Sequence, residues 1–427
     1  MLPGSKNYHK PSILFMQTLT QTHSAVKRYT TSKKQVAGVT NSSAAKTFVT
    51  GFRQKIILRL IWLTIFGVAL KMYKNPFIAF KKARRLRQLR NQYRNNKQLN
   101  KYKKINGCYY FSYNAPGWPS KAFNRYAQHL FSRVSSPEAN TLHTLIFAIT
   151  KKCGFKCEHC FEWENLNQPE QLTKEDLLLV IQRFYEMGIS HVQLSGGEPL
   201  NRFDDIIYLL DNAPAGIDFW IYTTGYQLTK QKAIELKQHG LKGVIISLDD
   251  HEAENHDAFR GKPGSFQRAL QAVQYAVECK LPVTFSLCAT KNFISKENLA
   301  RYAILAKTAG VSFIQLLEPK AVGHYAGKNV ALEEDHLQML EDFYEKMNYD
   351  KAYESFPLVI YHGYYSRRMG CSGSGKDYLY IDTDGDVHNC PFCRRKLFSA
   401  VRNSLPEFIT QMKTQGCSVY NSCSLKN

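Results

Sequence analysis

The chain has 427 residues, 44% hydrophobic and 22% charged, enough for a sizeable core and too apolar for a disordered or collagen-like polymer. Its eleven cysteines are too sparse for a small disulfide scaffold. Residues 1–137 hold 26 Lys/Arg and no acid, whereas residues 138–427 hold 31 Lys/Arg and all 35 acids, so the net +22 divides into +26 and −4 and excludes a uniformly basic nucleic-acid binder.

The basic charge therefore belongs to an N-terminal appendage, and such a block attracts polyanions, either anionic lipid or RNA. Residues 1–50 are rich in Ser, Thr, Lys and Gln and hold no helical or strand period. They read as a disordered leader, with an organellar transit peptide as the sharper alternative. Ile56–Leu70 is apolar except for Arg59 and Thr64. A helix of that length covers about 22 Å, short of the roughly 30 Å of a hydrocarbon core. Both its flanks are basic (Arg53 and Lys55 before, Lys71 and Lys74 after), so it lacks the one-sided bias of a spanning helix. In residues 74–104, Phe77, Ile78, Phe80, Leu86 and Leu89 are interleaved with a dense basic face. That pattern predicts a helix lying in an anionic membrane surface. The competing readings are a solvated basic helix on the core and an RNA-binding arm. Pro116–Gly117–Trp118–Pro119 marks a turn-rich boundary.

From residue 142 onward, strands and helices alternate. Strands are expected at 142–150, 191–197, 217–225, 241–249, 281–290 and 311–319. Helices are expected at 172–188, 203–213, 229–240, 266–280 and 298–310. Thr173 is a candidate N-cap and Gly188 a stop. This alternation means βαβ units around a parallel sheet, an α/β fold whose site lies at the strand C-terminal ends. Cys153, Gly196, Thr224 and Ser247 fall there.

Cys153, Cys157 and Cys160 form a C-x3-C-x2-C loop. Three thiolates leave one iron of a 4Fe–4S cube open for a ligand, whereas structural zinc and ferredoxin clusters take four protein ligands. A zinc site borrowing His159 is the competing reading. Ser195–Gly196–Gly197–Glu198–Pro199 follows the second strand. Its glycines permit close backbone approach to a ligand, Glu198 offers a carboxylate to an ammonium group beside a metal, and Pro199 stiffens the exit.

With these motifs the chain resembles the radical SAM superfamily over residues 142–425. The resemblance implies a partial (β/α)6 TIM-like barrel. It implies that Cys153, Cys157 and Cys160 hold a 4Fe–4S cluster whose open iron chelates S-adenosyl-L-methionine. It places the methionine amino group at Gly196, Gly197, Glu198 and Pro199. Thr224, in Tyr222–Thr–Thr–Gly225, stands where the family has Asn-Thr-Asn-Gly, so a side-chain contact is not carried over from the family. Ser247 and Asp249 end the fourth strand, where hydroxyl and carboxylate groups would reach ribose. His159 occupies the family's aromatic position before the last cysteine. His256–Asp257–Ala–Phe–Arg260–Gly261 and Gly264–Ser–Phe266 resemble a subfamily loop, with Asp257–Arg260 as an expected ion pair. Glu318 and Pro319 end the sixth strand near the expected substrate mouth.

The tail holds Cys371, Cys390, Cys393, Cys417 and Cys423. Residues 378–390 read as a hairpin turning at Asp384–Gly385, which returns Cys390 to Cys371. Cys390-Pro-Phe-Cys393 is a C-x2-C knuckle; structural zinc and unligated thiols are its alternatives. The arrangement resembles the SPASM or twitch extension, implying one auxiliary 4Fe–4S cluster held by Cys371, Cys390, Cys393 and either Cys417 or Cys423. Cys108, Cys279 and Cys288 read as ordinary thiols, the last two in the core.

The expected organisation is a disordered leader (1–50), a membrane-associating arm (51–110), a linker (111–141), a radical SAM core (142–335) and a SPASM/twitch-like domain (336–427). The resemblance implies reductive cleavage of S-adenosylmethionine to a 5′-deoxyadenosyl radical that abstracts hydrogen from the substrate. It also implies a low-potential electron donor of flavodoxin or ferredoxin type. Low-potential clusters need a reducing compartment, so the core is expected in the cytoplasm, and the arm would hold it peripherally at the cytoplasmic face of a membrane. The substrate is expected to be a peptide or protein, or a membrane-associated lipid. The alternative is an iron–sulfur protein that binds or modifies RNA. Few ring-stacking positions separate the arm's charges, which argues against nucleic acid.

Overall fold

The computed structural model describes residues 48–135 and 142–405, together with Glu407 and Ile409. The leader up to residue 47, Cys417 and Cys423 lie outside the described residues.

Six parallel strands form the centre: β4 (Thr144–Ala148), β5 (His191–Ser195), β6 (Asp218–Thr223), β7 (Gly243–Ser247), β8 (Val283–Cys288) and β9 (Phe313–Leu317). They pair in chain order, each within its expected segment. Most of their residues are buried, as in parallel sheets covered on both faces. The intervening helices are α4 (Lys174–Glu186), α5 (Phe203–Asn212), α6 (Lys230–Gln238), α8 (Ser265–Glu278) and α9 (Lys296–Thr308). Thr173 caps α4 in a reciprocal capping box with Asp176. One short helix, α7 (Ala253–Arg260), falls in a stretch read only as a loop.

The sheet extends beyond the six expected strands. Helix α10 (Glu334–Tyr349) leads to β10 (Leu358–Tyr361), which pairs parallel with β9. Helix α11 (His362–Met369) follows. Strand β11 (Tyr378–Ile381) then returns to pair parallel with β4. The sheet therefore continues past residue 335, where the expected core ends. The expected hairpin is present: β12 (Asp386–His388) pairs antiparallel with β11, and β13 (Phe398–Ser399) with β12. The outer strands of the parallel run, β10 and β11, do not pair with each other. Across this opening the rings of His362 and Tyr378 stand 6.3 Å apart.

The N-terminal region is folded onto this barrel. Strand β1 (Phe48–Thr50), β2 (Lys101–Ile105) and β3 (Cys108–Tyr110) form a small antiparallel sheet. Helix α1 (Gly51–Tyr73) has 23 residues, longer than the apolar run alone indicates, and is long and apolar enough to cross a membrane. Helix α2 (Pro76–Tyr93) begins with Pro76 and is capped by Asn75, whose side chain accepts from the Phe77 and Ile78 amides. The expected linker at 111–141 contains instead α3 (Lys121–Ser135). Ile61, Ile65, Val68, Leu86, Phe123 and Phe131 form the buried centre of this three-helix unit. Lys101 joins it to the core, its ammonium donating to the Tyr353 carbonyl at 2.8 Å. The opposite face of α1 stays open: Phe52, Ile56, Leu60 and Leu63 are exposed, as are Phe77, Ile78 and Phe80 of α2. The basic stretch 74–104 is thus one helix and one strand, and part of its charge faces inward.

Candidate active site

The three-cysteine loop leaves the C-terminal end of β4 and is held from four sides. Asn167 brackets Cys153, accepting from its amide and donating to its carbonyl, each at 3.0 Å. Glu170 accepts from the amides of Lys151 (2.7 Å) and Lys152 (3.3 Å) and from the Thr150 hydroxyl. Burial pushes its carboxyl up, but these donors outweigh burial and hold it below the usual carboxylate range. On a third side the amides of Lys156 and Glu158 donate to the carbonyls of Arg260 and Phe259. On the fourth, the His324 amide donates to the Cys160 carbonyl at 2.9 Å, and the His324 ring stacks on Trp163.

Burial pushes the thiols of Cys153 and Cys160 up to about 11 and 12. Burial also raises Cys157, against the opposing pull of Arg260, whose Nη1 lies 3.6 Å from its sulfur. Buried thiolates need a cation. Among the described residues no group of three or more His, Cys, Asp or Glu side chains is gathered around a point where one metal ion would sit. A cubane asks for a different arrangement, because its protein ligands bind separate irons. The donor set, three thiols and no carboxylate, fits an iron–sulfur cluster with one iron left open.

The Gly-Gly-Glu-Pro segment is tied to the backbone of the cysteine loop. The Gly197 amide donates to the Thr150 carbonyl at 2.7 Å, and the Glu198 amide to the Lys152 carbonyl at 2.8 Å. A Cβ on Gly196 would stand 2.4 Å from the Thr150 oxygen, and one on Gly197 2.4 Å from the Lys152 oxygen. Both glycines are required by the close approach of the cysteine loop's backbone. We therefore expect Gly197→Ala to push the two segments apart, at about 1–3 kcal/mol. Its unfolding midpoint and iron retained per chain after reconstitution would both fall; unchanged values would show that the approach tolerates a methyl group.

Glu198 does not offer a free carboxylate. It is buried, one oxygen accepting from the Thr223 hydroxyl (2.8 Å) and the Leu200 amide (3.2 Å). The other accepts from the amide (2.8 Å) and hydroxyl (2.6 Å) of Thr224. It locks the end of β6 to this loop. Pro199 is buried in the 3-10 turn Pro199–Arg202 behind it. Gly196, Gly197, Thr224 and Ser247 line the same cavity as the three cysteines, whereas Glu198, Pro199 and Asp249 do not.

Asp249 is likewise committed. Its Oδ2 accepts from Nε and Nη2 of Arg260, each at 2.6 Å, and its Oδ1 from the Cys288 amide at 2.9 Å. The expected ribose contact from Asp249 is therefore replaced by a buried ion pair. Burial pushes Asp249 up, but Arg260 first among its neighbours holds it below the usual carboxylate range. The expected Asp257–Arg260 pair is absent. Asp257 instead accepts from Gly264, Ser265 and Phe266 at the start of α8, because free helix-terminal amides attract a carboxylate. His159 stacks on Phe259 (4.9 Å, 15°), filling the aromatic place, and burial holds its imidazole down at about 4.

The cavity is about 1440 Å³ and runs from this loop through the barrel to the N-terminal helices. Part of its barrel section is a network of uncharged polar groups. Asn114 reaches His362 (2.9 Å) and accepts from Gln193 (3.0 Å), Tyr222 donates to Gln193 (3.3 Å), and Gln315 donates to Tyr222 (3.4 Å). Burial lowers His362, which keeps it neutral. Asn114 comes from the supposed linker, and no motif marked it. Cys288 is buried, as expected, but on the cavity wall. Glu318 and Pro319 also line it; Glu318 pairs with Arg367 and Lys320 and accepts from Tyr361.

The C-terminal knuckle packs against the cysteine loop. Glu162 accepts from Tyr380 and Arg394, each at 2.6 Å, and Phe161 meets Phe392 edge-on. The Cys393 amide donates to the Cys390 carbonyl at 3.1 Å, and the Ser374 amide to the Asn389 carbonyl at 2.9 Å. Cys371 is thus brought near Cys390, and it also lines the cavity.

A partial barrel of parallel strands, with a three-thiol loop at the strand ends and paired glycines beneath it, defines a cofactor-dependent radical enzyme. The chain belongs to the radical SAM superfamily: the family's sequence profile matches residues 147–301. It is 30% identical over 263 residues to a probable GTP 3′,8-cyclase of Saccharolobus solfataricus, covering 58% of this chain and 82% of that one. It is 25% identical over 274 residues to the AdoMet-dependent heme synthase of Methanosarcina barkeri, covering 59% and 78%. In fold it is similar to Streptococcus suis SuiB bound to its precursor peptide SuiA (TM-score 0.54, 15% identity, covering 85% and 84%). It is similar also to anSMEcpe with bound AdoMet and a peptide (TM-score 0.51, 16% identity, covering 65% and 83%). The family implies a 4Fe–4S cluster and S-adenosylmethionine, a reductant and a substrate.

Proposed function

We propose that this enzyme works at a membrane surface on a membrane-borne substrate. The reading rests on one observation: the cavity at the three cysteines continues to helices whose outer face exposes Phe52, Leu63, Phe77 and Phe80. That exposed face carries Arg53, Lys55, Lys71 and Lys74 and no acid, which suits an anionic surface. When bound, the cluster and S-adenosylmethionine supply a 5′-deoxyadenosyl radical that takes hydrogen from substrate carbon. The protein holds the cofactor between the cysteine loop, the Gly196–Gly197 backbone, Thr224 and Ser247, and excludes water with the barrel and the N-terminal unit. Cys371, Cys390 and Cys393 hold an auxiliary cluster in a SPASM-like tail, and a flavodoxin- or ferredoxin-type protein delivers electrons in the cytoplasm. A peptide substrate is the second reading, favoured by the peptides bound to SuiB and anSMEcpe.

The test is anaerobic. Protein reconstituted with iron and sulfide receives dithionite and S-adenosylmethionine, and 5′-deoxyadenosine is quantified with and without a detergent extract of host membranes. Stimulation by the extract, together with flotation on phosphatidylglycerol vesicles at low salt, is expected. Stimulation by a soluble peptide fraction alone, with no flotation, would move the assignment to the second reading.

A further inference from the structure

The N-terminal end of the cavity has a composition that the chemistry at the cysteines does not call for. Helix α2 turns Arg85, Leu86, Leu89, Arg90, Tyr93 and Arg94 towards it, a spacing that puts all six on one helical face. Opposite, α1 contributes Leu58, Ile61, Trp62 and Ile65, again one face, and this face is opposite to the exposed one. The cavity thus combines an apolar trough with guanidinium groups. The acids that line it are Glu162, Glu318 and Asp377, and all belong to the barrel and C-terminal parts. Glu162 is taken by Arg394, and Glu318 by Arg367 and Lys320.

Among the described residues neither Arg90 nor Arg94 is paired with a carboxylate. Arg94 Nη1 is buried without a hydrogen-bond partner. Arg90 lies beside the phenol of Tyr102 and 5.9 Å from the Trp62 ring. Burial, then the like charge of Arg94, holds Arg90 down at about 10. Two like charges four residues apart on a helix repel, and burying them is costly unless an anion pairs with them.

We propose that this end of the cavity is a binding subsite for an anionic amphiphile. Arg90 and Arg94 receive its phosphate or carboxylate, and its apolar chain lies against Ile61, Ile65 and Leu86. The inference rests on the membrane-borne-substrate reading and gives it a substrate class: one chain, one anionic group, and a reacting portion that reaches into the barrel. Arginine suits the role because its fork pairs bidentately with phosphate or carboxylate.

The test measures binding alone, so it does not depend on turnover or on vesicle flotation. Three probes are titrated calorimetrically, below their micelle concentrations, into the full reconstituted chain: dodecyl phosphate, inorganic phosphate and dodecyl maltoside. Dodecyl phosphate is expected to bind tightest. Arg90→Gln/Arg94→Gln should weaken it about tenfold to a hundredfold and leave dodecyl maltoside within about twofold. Ile65→Trp, which fills the trough, should weaken both chain-bearing probes. If the double variant does not fold, as judged by circular dichroism, Arg94→Gln alone carries the comparison. The proposal is overturned if dodecyl phosphate binds wild type and variant alike, if inorganic phosphate binds as well as dodecyl phosphate, or if no probe binds.

Discussion

Cys157→Ala is expected to abolish 5′-deoxyadenosine formation, a loss greater than the roughly 10–100-fold typical of losing a group that only orients a metal ligand. Cys157 is the most buried of the three loop cysteines, and it alone receives the Arg260 guanidinium. Its removal takes one anionic ligand from the cluster and leaves Arg260 facing an empty place. Arg260→Met sets the scale. It keeps all three thiols but removes both the charge beside Cys157 and the partner of Asp249, so its loss should be at least that roughly 10–100-fold range yet short of abolition. Iron per chain and 5′-deoxyadenosine per hour, measured on both variants, decide the matter. Wild-type yield from Cys157→Ala would remove this loop from the chemistry.

The largest stability effect is expected at Asp249. Asp249→Ala leaves the Arg260 guanidinium buried, without the oxygen that accepts both of its 2.6 Å contacts. Breaking one side of a buried pair costs about 3–5 kcal/mol. Changing both partners should cost less than the sum of the two single changes, which a double-mutant cycle measures. The pH dependence has a definite sign. Because the folded Asp249 titrates below the unfolded carboxyl, its contribution is complete above the unfolded value of about 3.9 and is lost as pH falls through the folded one. The wild type should therefore lose more stability than Asp249→Asn on acidification below about pH 4. Equal midpoints for wild type and Asp249→Ala at neutral pH would mean that the pair contributes nothing net.

Much of this was legible in the chain. Alternating apolar runs and amphipathic segments gave six strands and five helices in their observed places, because a parallel sheet buried on both faces needs apolar runs of strand length. The cysteine spacing and the glycine pair marked the site, since a tight loop and a close backbone approach allow few substitutes. The Asp384–Gly385 hairpin was legible for the same reason: Gly385 takes a left-handed φ of 82°.

Other features depend on partners distant in sequence. Asp249 and Glu198 read as ligand-facing carboxylates at strand ends, yet each is consumed by neighbours brought by folding, Arg260 in one case and Thr223 and Thr224 in the other. Asn114 carries no motif and reaches the barrel because its neighbours Tyr110 and Tyr113 pack against Trp220, Ile245, Phe313 and Leu358 of four strands. Helix α1 has large apolar residues on all its sides, so its pattern does not say which face meets the protein; packing against α2 and α3 decides that. The chain by itself determined its family, its parallel core and the residues available for iron–sulfur chemistry, because local spacing and period encode these directly. Only the tertiary structure decided which carboxylates are spent on structure and that the basic arm helps to wall the cavity. Charge pairing and burial are properties of neighbours in space, and spacing along the chain does not carry them.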